Sequence, residues 1–122
     1  MTDAPPVEWF ISGTIDVRRK LDGYLLSPTH PKGRHKARLW SSVFGISQGD
    51  GKLLEQLIRE QLHQAEPAEK EKTTAFRRWE LVISRFRGPN GNEAPVLTAW
   101  ALQTGKDSPH LTTAYPRIGA SR

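Results

Sequence analysis

The sequence predicts an α+β domain in which N-terminal helices pack on a small antiparallel sheet, a hairpin plus a C-terminal strand. The first half carries apolar residues at helical spacing, most clearly Leu53, Leu54, Leu57, Ile58 and Leu62. The period then changes to two, with Trp79, Leu81 and Ile83 alternating with Glu80, Val82 and Ser84. Between that run and the apolar stretch 95–103 stands Gly88-Pro89-Asn90-Gly91-Asn92, a turn longer than the tightest hairpin loop. Helices first and strands second is the order of an α+β domain.

Residues 1–14 read as a lead with two prolines followed by a short strand or extended entry at Val7–Ile15, weakened by Ser12-Gly13. Asp16 is a helix cap for a segment running to about Leu26, with Val17, Leu21, Tyr24 and Leu25 on one face. Pro28, Pro31 and Gly33 punctuate a loop. A second helix is expected from about Arg34 to Phe44, with Ala37, Trp40, Val43 and Phe44 inward and Gly45 beyond its end. The third, about Gly51 to Gln64, stops before Pro67. Residues 67–74 read as a charged connector. Strands follow to Phe86, over 95–103 and over 110–115, and Pro116 ends the last one. The single domain is placed at 15–116, with residues 117–122 as a tail.

A chain of 122 residues suits one domain with a modest core. It has no cysteine, which excludes disulfides, thiolate zinc sites and cysteine nucleophiles. MTDAPPVEW lacks a basic region followed by an apolar one, and no apolar run approaches the ~20 residues of a membrane span. The expectation is a cytoplasmic protein with no membrane partner. Net charge is +5, and it is unevenly spread. Residues 16–45 hold seven cations against two carboxylates, 50–72 four against six, and 76–88 four arginines against Glu80. If the two basic segments are neighbours they make a face for a polyanion; scattered solvated charge is the other reading.

The four histidines form no HxxxH or HExxH pair, and no carboxylates complete a ligand set, so no metal is expected. His63 fits the favourable end of the acidic helix's dipole. No phosphate-binding glycine loop, dinucleotide fingerprint or GxSxG elbow occurs. What remains is metal-free acid–base chemistry on a phosphodiester. That chemistry needs a base, an acid, and cations on the non-bridging oxygens. His30 and His35 suit proton transfer. Lys32, Arg34, Lys36 and Arg38 suit the phosphate, and backbone N–H groups beside Gly33 would face an anion at the start of the second helix. Thr112 and Thr113, with His110 and Tyr115, are the matching groups late in the chain, and Arg85 belongs to the second basic segment. Each has a plainer reading. The His30-Pro31 step fits a capped turn, His35 and Arg38 fit a solvated face, and Lys36 can lay its stem along Tyr24 and Trp40. One of the two threonines is expected to face the core. The tryptophans fit the core better than base-stacking platforms.

The order Lys20-Leu21, Tyr24-Leu25-Leu26, His30-Pro31-x-Gly33-x-x-Lys36-Ala37, Phe44-Gly45, Leu97-Thr98-Ala99-Trp100 and His110-Leu111-Thr112-Thr113-Ala114-Tyr115-Pro116 resembles a family of small uncharacterised bacterial domains. The resemblance spans roughly Ile15 to Pro116. Those domains are similar to the barnase–EndoU–colicin–RelE group of metal-independent ribonucleases, in which helices precede a compact antiparallel sheet. The resemblance implies His30 and Lys36 beside the scissile phosphate, Thr112 or Thr113 facing them, and no cofactor. It also implies RNA as the partner and, for a bacterial toxin, a cognate acidic antitoxin or immunity protein. The alternative is a non-catalytic module that binds nucleic acid or an acidic partner through the same basic face.

Overall fold

The computed structural model describes residues 5–73 and 76–117. It is an α+β fold: helices precede and pack on one antiparallel sheet. The helices are α1 (Val7–Ile11), α2 (Val17–Leu25), α3 (Arg34–Leu39) and α4 (Gly51–Gln61). The strands are β1 (Glu66–Thr73), β2 (Phe76–Arg87), β3 (Glu93–Gln103) and β4 (His110–Pro116), side by side in that order.

Sequence expectations are corrected at the N-terminus and at the connector. Val7–Ile11 is a helical turn, not a short strand, and it belongs to the core. Phe10 is 2% exposed and meets Trp79 and Trp100 edge to face. The Arg59 guanidinium fastens this turn to α4 by donating to the carbonyls of Ile11 and Gly13. Glu66–Thr73 is a strand rather than a connector, paired with β2 from Glu66↔Val82 to Thr73↔Arg77 with one irregularity. Its charged composition lacks the apolar alternation by which a strand is read from sequence. The lead at residues 1–4 and the tail at 118–122 lie outside the described residues.

The predicted helix after Asp16 forms, but wound wide. Asp16 caps it, its carboxylate accepting the Arg19 N–H at 2.9 Å. The backbone then takes π-type spacing, with Leu26 N–H on the Leu21 carbonyl. Leu21 and Leu25 are buried, while Lys20 and Tyr24 are left half-buried on its flank. Helix α3 runs on into a π-turn at Trp40–Phe44 and ends at Gly45, whose φ of 73° is the left-handed geometry glycine tolerates. Asn90 and Asn92 in the hairpin turn both donate to the Val43 carbonyl, so the turn caps this helix end. Gly88 lets the turn approach, since a Cβ there would meet the Phe44 ring at 2.5 Å.

Bulges decide which side chains reach the core. Between Ile83 and Phe86 the β2–β3 register slips, returning Phe86 to the face that holds Trp79, Leu81 and Ile83. A second slip, between Ala99↔Thr113 and Trp100↔Leu111, leaves Thr112 unpaired and turns both Leu111 and Ala114 inward. Strand β4 is an edge strand, and α2 and α3 cover its free side. Fully buried Trp40 donates its indole N–H to the Ala114 carbonyl at 3.1 Å, satisfying an acceptor the sheet leaves open.

Trp40→Phe removes that donor and should lower the unfolding free energy by about 1–3 kcal/mol in urea titrations. Trp9→Phe removes a more accessible bond to the Asp107 carbonyl and should cost less.

Candidate functional site

The loop between α2 and α3 is held by its own side chains. Buried Ser27 accepts the His30 N–H at 3.2 Å, and His30 in turn ties the turn that leads into α3. Its Nδ1 accepts the N–H groups of Lys32 and Gly33, each at 3.0 Å, while its carbonyl accepts Arg34 N–H. The N–H groups of Lys32, Gly33 and Arg34 are therefore taken, so an anion beside Gly33 would not find these three donors free. Gly33 serves packing instead. A Cβ there would lie 1.9 Å from the Tyr24 carbonyl oxygen, so glycine is required for the loop to lie against α2.

Double occupation of Nδ1 also sets the ring's chemistry. A nitrogen that accepts two N–H groups carries no proton, so neutral His30 bears its hydrogen on Nε2. The ring packs edge-on against Tyr24 with centroids 4.9 Å apart. His30 is thus placed as a donor rather than as a base. Its sequence reading as a turn residue was right in kind, although it caps N–H groups.

Lys36 is where the late strand meets the early helices. Its Nζ donates to the Tyr24 hydroxyl at 2.9 Å and to Thr113 Oγ1 at 3.0 Å. It lies 5.2 Å from the Tyr24 ring centre and 5.4 Å from that of Tyr115, within cation–π range of both. Among the described residues no carboxylate pairs with it. A half-buried ammonium held only by neutral groups keeps one N–H to spare. The Tyr24 hydroxyl and Thr113 Oγ1 both accept from the lysine, so neither supplies it with negative charge. The arrangement can bind an anion, and a second cation, Lys20, stands 5.3 Å from the Tyr24 ring centre.

The electrostatics follow. Burial pushes the Tyr24 phenol up, but the Lys36 hydrogen bond and charge, the Thr113 hydroxyl and the Lys20 charge together bring it below its ordinary value. His110, at the start of β4, is lowered by burial first and by the Lys20 charge second, which keeps it neutral at pH 7. The sequence reading puts Tyr24 on the apolar face of its helix, as a surface for the Lys36 stem, and Lys20 among the seven cations of residues 16–45. The hydrogen bond that forms is from the lysine's ammonium to the Tyr24 hydroxyl.

Not every expected residue joins this cluster. Neither threonine enters the core: the bulge leaves both half-buried, Thr113 on Lys36 and Thr112 donating to the Ala99 carbonyl at 3.1 Å. Lys32 and His35 are exposed. Arg34 and Arg38 line a separate groove on the other flank of α3. Arg85 is exposed on β2, with β3 between it and β4, and pairs with Glu93 at 3.5 Å. The two basic segments of the sequence do not make one face around Lys36. Trp40 and Trp100 are fully buried and Trp79 is 7% exposed, as core tryptophans. Among the described residues no group of histidine and carboxylate side chains is placed to hold a metal, and no helix is long and apolar enough to cross a membrane.

Absorbance at 295 nm should resolve Tyr24 by difference between wild type and Tyr24→Phe. Its midpoint is expected below 10.0, and Lys36→Met should move it upward. An unchanged midpoint in Lys36→Met contradicts the coupling. For His110, the folded chain binds its proton less readily than the unfolded one, so stability falls as pH drops below about 6.5. His110→Gln should flatten that acid slope in urea titrations at successive pH values.

No curated protein and no solved structure matches the chain. A family model matches residues 12–118, which takes in α2 through β4 and every residue of the Lys36 cluster. The chain belongs to the family described as domain of unknown function DUF6883.

Proposed function

We propose that this domain is a metal-independent endoribonuclease acting as a bacterial toxin, held in check by an acidic antitoxin or immunity protein. The observation that carries the reading is the Lys36 ammonium, half-buried between Tyr24, Thr113 and Tyr115 with no counter-ion among the described residues. A phosphodiester supplies the missing negative charge. Lys36 and Thr113 hold its non-bridging oxygens, and His30 Nε2–H donates to it from the loop. Cleavage transfers the 2′-hydroxyl proton to a base as that oxygen bonds phosphorus, and returns a proton to the leaving 5′-oxygen as the P–O5′ bond breaks. His110, on the strand that carries Thr113, is the base that takes the first proton, and the Tyr24 phenol, in contact with the Lys36 ammonium, gives the second. This assignment gives His30 a smaller role than the family resemblance implies and leaves Thr112 out.

A second reading is favoured by one specific observation: both backbone bonds to His30 Nδ1 remove an imidazole from base duty. Under it the domain binds nucleic acid or an acidic partner through the same site without turnover.

Incubation with total RNA in EDTA from about pH 5 to pH 8, the span in which histidine changes charge, separates the two. Cleavage is expected, with Lys36→Met lower by about 10²–10³-fold, the usual cost of losing one group that stabilises developing charge. Thr113→Val should lose less, and Thr112→Val should match wild type. Absence of cleavage by the wild type across that range removes the enzymatic reading.

A further inference from the structure

Beyond the Lys36 cluster, α3 presents a second basic surface. Arg34 and Arg38 are one helical turn apart and line an open groove of about 400 Å³, floored by Leu26 and Ala37 and rimmed by Ser41 and Gln48. Among the described residues neither arginine is paired with a carboxylate. The acids nearest in sequence to the rim are engaged by backbone. Asp50 accepts Ser47 N–H, and Asp22 accepts the N–H groups of Gly49 and Gly51.

Helical geometry relates this groove to Lys36. Two residues along an α-helix turn about 200°, so Arg34 and Lys36 leave opposite flanks of α3. Ala37 points into the core between them, and exposed His35 occupies the outer crest. A strand of polyanion held at Lys36 can cross that crest, a width of about 10–12 Å, and meet both guanidiniums on the far side.

We infer that Arg34 and Arg38 form an accessory track for the phosphate backbone of single-stranded RNA, across α3 from Lys36; the inference rests on the nuclease reading for its substrate. The groove favours nucleic acid over an acidic protein. Its polar lining is guanidinium, hydroxyl and amide, suited to wet phosphate contacts; of its apolar members Leu26 and Ala37 are buried floor and Pro28 is an exposed part of the lining, so none forms a deep pocket for an aromatic anchor. Arginine also grips phosphate through paired N–H groups. Because neither arginine contacts the Lys36 cluster, the track sets affinity for longer strands and leaves the reacting phosphate alone.

Fluorescence anisotropy with a labelled, uncleavable 2′-O-methyl RNA of about 12 nucleotides tests the track independently of turnover. Arg34→Gln/Arg38→Gln should weaken binding roughly tenfold. It should also make the slope of log affinity against log salt shallower by about 1.4, the release expected from two single-strand phosphate contacts. Arg34→Lys/Arg38→Lys should restore most of the slope. Lys106→Gln/Arg117→Gln removes equal charge elsewhere and should leave it nearly unchanged. An unchanged slope in the Arg34/Arg38 variant overturns the track, as does an equal loss in the Lys106/Arg117 control, or no binding by wild type. Retained RNA binding with lost binding of polyglutamate would also overturn it, assigning the groove to an acidic protein. If wild type binds through the arginines yet cleaves no RNA, the track stands and the nuclease reading falls. If it cleaves, the Arg34/Arg38 variant should raise KM for long RNA and cleave a dinucleotide at the wild-type rate.

Discussion

The contact on which the rest of this site depends is the pair of hydrogen bonds from Lys36 to Tyr24 and Thr113. They join α2, α3 and β4, the two bonds spanning 12 and 77 positions of the chain. A charged group removed from bulk water needs replacement for its hydration. Here two hydroxyls and two aromatic faces supply it, and no described carboxylate does. A carboxylate would give a closed, neutral pair. Neutral partners leave the net positive charge in place and aimed at whatever anion can enter. The same contact draws down the phenol of Tyr24, so the uncompensated positive charge and the lowered phenol are consequences of one arrangement.

That arrangement stands on constraints farther out. Lys36 reaches β4 only because α3 lies along the free edge of the sheet, where Trp40 bonds the Ala114 carbonyl. Thr113 faces it only because Thr112 is the extra residue of a bulge that turns Leu111 and Ala114 inward together. The loop before α3 keeps its shape through Ser27, His30 and the close approach of Gly33 to the Tyr24 carbonyl. The HPxG run is thereby explained as architecture first. Its histidine ties the turn before the helix, its glycine admits the neighbouring backbone, and the lysine three positions later is the group delivered to the site.

Much of this was legible in the sequence, for reasons that differ by element. Helix α4 and strand β2 announce themselves because one face of each is apolar at a strict period. The end of the second helix at Gly45 was readable because a left-handed residue is a local requirement. Strand β1 was not readable, since EPAEKEKT offers no apolar alternation and its pairing with β2 is decided by the rest of the sheet. Helix α1 was misread because five residues with bulky side chains suit either state until Phe10 finds Trp79 and Trp100. At the site, Lys36 and Thr113 could be named from residue chemistry, but choosing Thr113 over Thr112 required the bulge. Tyr24 was hidden by its apolar neighbours Leu25 and Leu26, which made it read as core.

The division of α3 into two flanks has a consequence for how the basic segment works as a whole. Read along the chain, Lys32, Arg34, His35, Lys36 and Arg38 form one positive run, and a run suggests one duty. Around the helix they are distributed, with a single lysine half-buried against hydroxyls and the arginines on the opposite side. Charges that share a stretch of chain but face different ways add to the long-range field equally and to local contacts separately. The summed field favours anions at this end of the molecule. Among the described cations of this run, Lys36 has two hydroxyls and a lowered phenol beside it.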